Sequence, residues 1–222
     1  MKKLISFLLC LSLLQTLTLP AFAQNRTIQI RTLEDLISLS EHCISDRYSD
    51  GLTVELMNDL TLDRSFTPIP LFQGVFEGNG HTISGLLIDS EASTCGFFRQ
   101  ILERGTVRNL HVVGEVIPSG SGEFVGGIVG KNSGILTACS FSGTVSGIRC
   151  VGGIAGSNMP TGRIEHSTAA GEVNGQHKVG GIGGENAGSI SACTNSAAVG
   201  TKDMGSISLD INSVSQDIGS VS

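Results

Sequence analysis

The residues of this 222-residue chain that could do chemistry are few and widely spaced. Its histidines are His42, His81, His111, His166 and His177, and none is followed by glutamate. Zinc peptidase chemistry commonly uses His-Glu-x-x-His, two ligands one helical turn apart with a base between them. No such pair exists here, and no metal ligand set is assigned. Cleavage of polysaccharides needs carboxylates gathered on one face, often with calcium or a basic residue. Glu115 and Glu172 share a repeat position with Thr144 between them, and Arg108 and Glu165 share another with Thr137 between. A solvated surface accounts for both sets more simply. Asp59, Asp63 and His81 fall near two prolines, in no pattern that fixes them on one face. The glycine-rich run GGIGGENAG lacks the preceding strand and following helix of a phosphate loop. It also lacks the aspartate of the calcium-binding nonapeptide. No catalytic residue and no cofactor is expected, and no residue pattern marks a ligand-binding site.

The elements around these residues begin with an address. Lys2 and Lys3 precede an apolar run from Leu4 to Leu19, and Pro20-Ala21-Phe22-Ala23 ends it with an A-x-A signal. That anatomy predicts a secretory signal peptide over 1–23, cleaved before Gln24. The run is short for a span of about 20 residues, and no later stretch is apolar enough to cross a membrane. The formal net charge is −6, and the two lysines lost on cleavage make the remainder more acidic still. A nucleic-acid partner is not expected on that balance. The chain has 30 glycines, few aromatics and no tryptophan. Its core is therefore expected to come from Val, Ile, Leu and Ala. Cys43, Cys95, Cys139, Cys150 and Cys193 remain after cleavage. An odd count leaves at least one free or intermolecular thiol, and their spacing matches neither C-x-x-C nor a zinc pattern.

A repeat organises the rest. VGGIVGKNSGILTACSFSGTVSG starts at Val125, VGGIAGSNMPTGRIEHSTAAGEVNG at Val151, and VGGIGGENAGSISACTNSAAVG at Val179, with spacings of 26 and 28 residues. The two extra residues of the middle copy fall at Met159-Pro160-Thr161. A divergent copy starts at Cys95, and the pattern fades from Met204. The copies align into columns. Val116, Val145, Val173 and Val199 form one, and Leu110, Cys139, Ser167 and Cys193 another. Asn132, Asn158 and Asn186 each lie seven residues after the head valine. The short β-branched runs bounded by glycine predict strands of about four or five residues, three to a coil. Coils stacked at about 4.8 Å turn the columns into ladders. Asparagine tolerates left-handed backbone and bonds along a stack, which suits a turn. The Cys95 copy has Leu102 at that position, so the ladder should stop short of it. Cys139 and Cys193, two coils and about 9–10 Å apart, are too distant for a disulfide, which needs Cα atoms within about 7 Å.

Upstream, Thr32-Leu33-Glu34-Asp35 reads as a capping box. Leu33, Leu36, Ile37 and Ile44 follow at helical spacing, predicting a helix over 33–44 that caps the solenoid end. Leu52 to Leu62 alternates as strand, the chain turns at Pro68 and Pro70, and Glu77-Gly78-Asn79-Gly80 forms a tight turn between strands.

The VGGI-x-G-x-N-x-G-x-I pattern resembles the GLUG-type repeats of bacterial secreted and surface proteins. TLEDLISL, LTVELMNDLTL, TPIP and FEGNGHTISGL resemble the segments ahead of such repeats. The resemblance covers roughly 27–208. It implies an all-β fold, a right-handed parallel β-helix (solenoid), and an extracellular role. Such repeats occur in adhesin-like proteins and beside the catalytic part of IgA-specific metallopeptidases. The expected organisation is a signal peptide over 1–23 and an N-terminal cap with a short helix over 24–50. A β-helix over 51–208 follows, with its repeats clearest over 125–204, and then a frayed or truncated end over 209–222. The expected role is a non-catalytic, secreted or cell-surface binding or adhesion module, part of a longer protein, with a glycan or surface protein as partner. The alternatives are a carbohydrate-active β-helix lyase or hydrolase, or the non-catalytic N-terminal region of a surface metallopeptidase.

Overall fold

The structure is a computed structural model that describes residues 26–201, positions 46 and 65 excepted. The expected signal peptide and the expected fading of the repeat beyond residue 201 lie outside the described residues. Within them the chain winds as a parallel β-solenoid of about six turns, with one helix near its N-terminus.

Each complete coil contributes to four sheets, one more than the three strands expected. Sheet I stacks Thr94–Cys95, Phe124–Gly126, Arg149–Gly152 and His177–Gly180. Sheet II stacks Ile69–Phe72, Phe98–Ile101, Val129–Asn132, Ala155–Asn158 and Gly183–Asn186. Sheet III has seven rungs: Arg26–Ile30, Leu52–Leu56, Val75–Glu77, Thr106–Arg108, Ile135–Thr137, Arg163–Glu165 and Ser189–Ser191. Sheet IV stacks Leu60–Thr61, Thr82–Ile88, His111–Val116, Ser140–Ser146 and Thr168–Gly175, the last of which pairs with both Thr194–Asn195 and Ala198–Thr201. The extra strand arises because the Val-Gly-Gly-Ile head is a bend. Val125 and Gly126 finish sheet I, Gly127 and Ile128 turn, and Val129 opens sheet II. A Cβ on Gly127 would lie 2.2 Å from the Phe141 ring, and one on Gly126 would lie 2.2 Å from the Val129 carbonyl oxygen. The paired glycines therefore let the corner close onto the interior.

Register follows the repeat. Val125 pairs with Val151 and Val151 with Val179. Val116, Val145, Val173 and Val199 stand in line and point inward. The two extra residues of the middle coil are absorbed between Asn158 and Arg163, at the corner joining sheets II and III, and pairing resumes in step beyond it. The core is richer in aromatics than the composition suggested. Phe72, Phe76, Phe97, Phe98 and Phe141 are fully buried, and the first four pack with ring centroids 5.0–6.2 Å apart. These rings fill the interior of the early coils. In later coils the small Ala155 and Ala169 are buried beside Val151, Ile154, Ile164 and Val173.

The N-terminal helix, α1 (Leu33–His42), is two residues shorter than expected. Thr32 accepts from the Asp35 amide at 3.2 Å, and the Asp35 carboxylate accepts from the Thr32 and Arg31 amides. That satisfies donors the first turn would leave orphaned. Leu36 and Leu39 are buried, as is Cys43 at the C-cap, whereas Ile44 lies beyond it and is 72% exposed. The Ser40 hydroxyl donates to the Thr67 carbonyl at 2.7 Å, tying the helix to the loop ahead of Ile69–Phe72. A rung, Arg26–Ile30, already stands ahead of the helix and pairs with Leu52–Leu56. Pro70 sits inside a strand rather than in a turn, which its position on the terminal rung of sheet II permits.

The corner between sheets III and IV carries a column of left-handed residues. Asn109, Ala138, His166 and Ala192 have φ of 50–53°, and they follow directly on the paired Arg108, Thr137, Glu165 and Ser191. Left-handed backbone costs a residue such as alanine roughly 1–2 kcal/mol, and asparagine less. Ala138→Asn is therefore expected to stabilise the fold by about 0.5–1 kcal/mol, read as a higher denaturation midpoint at unchanged slope. A lower midpoint would show that the corner does not store this strain.

Candidate functional site

Three polar features distinguish themselves on this scaffold. The first is the corner where sheet III passes into sheet IV in the early coils. The Glu77 side chain faces Arg108 one rung above and forms an ion pair with it. Glu77 also accepts from Asn109 Nδ2 at 2.8 Å and from the Asn79 amide at 3.1 Å. Burial pushes the Glu77 carboxyl up, but the bonds from Asn109, Asn79 and Arg108 outweigh it and hold the pKa below the usual carboxylate range. A shallow depression beside it is lined by Asn79, Gly80, Asn109, His111 and Ala138. Asp59 accepts from the Thr82 amide at 2.9 Å and lies 3.2 Å from His81 Nδ1. Those bonds lower its pKa as well. One rung on, His111 Nδ1 and Ser140 Oγ stand 2.6 Å apart.

Glu77 supplies a test with a definite sign. A carboxyl with a depressed folded pKa stabilises the fold above its unfolded value, near 4.3. That stability is lost as pH falls through the folded value. Glu77→Gln should therefore lower stability at neutral pH and flatten its decline on acidification. Asp35, Asp59 and Glu185, also depressed, keep part of the slope. Parallel wild-type and variant curves of melting temperature against pH would count against this.

The sequence-derived columns distribute differently. Arg108, Thr137 and Glu165 do share a column, yet Arg108 turns down to Glu77 while Glu165 pairs with Arg163 on its own strand. Glu115, Thr144 and Glu172 stand in line on the outward face of sheet IV. Asp59 and His81, unplaced from sequence, are in contact. The offset between their strands, Leu60 opposite Ile83, would have revealed this, but these coils lack the Val-Gly-Gly-Ile head that marks a coil.

The second feature is interior. Asn132 and Asn158 are fully buried. Asn132 Nδ2 donates to Asn158 Oδ1, and Asn158 Nδ2 to Asn186 Oδ1, each at 2.8 Å. The same amides bond the turn backbone at Gly134, Gly162 and Gly188. None of the three asparagines has positive φ, so side-chain bonding rather than left-handed backbone accounts for them. In the Cys95 coil the column is occupied by Ile101, not Leu102, because that coil is one residue shorter after its head. Cys139 lies in the buried column between sheets III and IV, with its amide donating to Ser167 Oγ at 3.3 Å. Cys43, Cys95, Cys139, Cys150 and Cys193 are all free thiols. Burial drives Cys43 and Cys139 up to about 12, so neither is a thiolate nucleophile at neutral pH.

The third feature is the outward face of sheet IV. His111, Ser140, Thr168 and Thr194 form one stripe, and Glu115, Thr144 and Glu172 another. Between them runs a glycine column, Gly114, Gly143 and Gly171. Among the described residues the carboxyl groups of Asp35, Asp59, Glu77 and Glu185 have pKa values moved down by the structure. Among the described residues no group of three or more His, Cys, Asp or Glu side chains could hold a metal ion, and no helix is long and apolar enough to cross a membrane.

Four parallel sheets wound in register around a Val-Gly-Gly-Ile bend make this a repeat β-solenoid. Residues 147–174, which run through one complete turn across all four sheets, carry the GLUG motif. The chain is 32% identical over 161 residues to halomucin of Haloquadratum walsbyi, a match covering 64% of this chain and 2% of halomucin. It is 37% identical over 67 residues to a Gly-rich membrane protein of Evansella cellulosilytica, covering 29% of this chain and 8% of that protein. The chain thus spans a small fraction of the curated relatives it matches. Halomucin is archaeal, so the similarity extends beyond bacteria. No solved structure matches the chain significantly.

Proposed function

We propose that this solenoid is a secreted or cell-surface, non-catalytic module that binds a glycan or a surface protein. The observation that carries this is the outward face of sheet IV, where hydroxyl and carboxylate side chains repeat in register from coil to coil. A repeating polymer is matched by a repeating face, because stacked coils offer polar groups at one spacing, hydroxyls at Ser140, Thr144, Thr168 and Thr194 and carboxylates at Glu115 and Glu172. The carboxylates support binding over cleavage. A glycosidase needs one acid held protonated by a raised pKa, whereas Glu77 and Asp59 are held ionised by their donors. The likeness to halomucin and to a Gly-rich membrane protein supports a surface location.

The test is retention of the purified chain on intact cells and on a panel of immobilised polysaccharides, with reducing ends assayed in parallel. Retention without new reducing ends is expected. Polymer cleavage by the purified chain, or no retention on any surface, would overturn the proposal.

A further inference from the structure

The third glycine of the repeat occupies one column in three coils, at Gly130, Gly156 and Gly184, each adjoining the paired Val129, Ala155 and Gly183. The column needs glycine because a strand of sheet I lies beneath it. A Cβ on Gly156 would come within 2.4 Å of the Val125 amide nitrogen, and one on Gly184 within 2.3 Å of that of Val151. In the next coil down the same column holds Arg99, since Phe98 pairs with Val129 and Gln100 with Lys131. Among the described residues sheet I ends at Thr94–Cys95, and no strand of it lies below this coil. The chain there runs as a loop through Phe66, Thr67 and Pro68, and a cavity of about 200 Å³ opens in place of the missing rung.

Arg99 lines that cavity, and its Nε is buried with no hydrogen-bond partner. Among the described residues its guanidinium forms no ion pair. A buried donor without an acceptor is costly and calls for an explanation. Arg64 also lines the cavity, and its contact with Asp89 is a loose 3.9 Å between exposed side chains. Thr67 and Ser90 add hydroxyls, and Pro68 and the exposed Leu87 add apolar wall. A guanidinium offers paired N–H groups matched to a carboxylate or sulfate. The cavity is smaller than the roughly 300–1,000 Å³ of sites for drug-sized ligands. It suits one charged sugar residue rather than a length of chain.

We infer that this cavity binds the anionic group of an acidic glycan, with the half-buried Arg99 as the inner anchor and Arg64 as the exposed second arm. The inference rests on the glycan form of the reading above and names the sugar class. The chain's net charge of −6 works against non-specific attraction of polyanions.

Calorimetric titration of the full chain would compare an oligogalacturonate, a chondroitin sulfate oligosaccharide and a neutral malto-oligosaccharide. One or both acidic ligands should bind, separating carboxylate from sulfate ester, while the neutral one binds at least tenfold more weakly. Arg99→Gln should weaken acidic binding at least tenfold with an unchanged or higher melting temperature, and Arg64→Gln several-fold. Asp89→Asn, which removes the competing carboxylate, should tighten it, and this keeps the test open if Arg99→Gln does not fold. Equal affinity for neutral and acidic ligands, or acidic binding indifferent to all three substitutions, overturns the inference. Retention on cells or neutral polysaccharides without acidic binding sinks this cavity's role while leaving the binding module standing. Failure of retention everywhere sinks both.

Discussion

Gly143→Ala should destabilise the solenoid by on the order of 4 kcal/mol or more, the range of the most disruptive single substitutions. Gly143 sits in the middle of sheet IV with φ of 142°, stacked between Gly114 at 157° and Gly171 at 103°. A Cβ at Gly143 would lie 1.9 Å from the Gly114 carbonyl oxygen, and one at Gly171 would lie 2.1 Å from that of Gly143. Neither contact is with the end of a flexible side chain. Relief would require two rungs to separate, breaking the ladder on which both coils depend. Below the column, pairing shifts by one residue between Ile83 opposite Val112 and Leu86 opposite Gly114. The irregularity adjoins the glycine column, where no side chain obstructs the close approach of the rungs. Gly80→Ala is the control. Gly80 has φ of 76° but nothing within 4 Å of its Cβ position, so only backbone strain of about 1 kcal/mol applies. Guanidinium unfolding followed by circular dichroism should rank the two far apart. Similar midpoints for both variants would show that the close approach is not what selects glycine at 143.

This column illustrates where the sequence was legible and where it was not. The repeat spacing was readable because coils must stack like on like, and the valine column is in register in the structure. The number of sheets was not. Two adjacent glycines read equally as part of a strand or as a bend, and only the Phe141 ring pressed against Gly127 decides it. The aromatic core escaped because Phe66, Phe72, Phe76, Phe97 and Phe98 precede the clear repeats, and composition averages them away. Ile44 was grouped with the helix by spacing alone, whereas the chain leaves the helix at Cys43 and buries that residue instead. The cavity at Arg99 was visible in principle, since arginine there replaces a glycine of the repeat. It was hidden by the one-residue shortening of that coil, which puts the columns out of step in a simple alignment.

Asn158→Ala is expected to cost about 3 kcal/mol or more. The Asn158 amide donates to Asn186 Oδ1 at 2.8 Å and to the carbonyls of Gly162 and Ser189 at 3.2 Å, and it accepts from Asn132 at 2.8 Å. A hydrogen bond contributes about 1 kcal/mol net. Truncation at the middle of the ladder removes bonds on both sides. The Gly162 carbonyl keeps the Ser189 amide, and Asn132 Nδ2 keeps the Gly134 and Arg163 carbonyls, so the cost is that of the four lost bonds themselves. Asn186→Ala, at the exposed end, should cost only about 1 kcal/mol. Comparable losses at both positions would mean that the ladder acts as independent turns rather than as a connected stack. The asparagines are thus a staple on the corner joining sheets II and III. That corner also absorbs the two extra residues of the middle coil without loss of register.

The stacking of whole coils also sets how this chain would respond to tension. A 26-residue copy advances the rod by about 4.8 Å while wound, yet spans about 86 Å when drawn out at 3.3 Å per residue. Each coil is therefore a store of slack nearly twentyfold longer than its contribution to the rod. Because a coil bonds only to its neighbours, it can peel from an end without disturbing those behind it. Under load such a rod lengthens in discrete steps of one coil, rather than giving way at once.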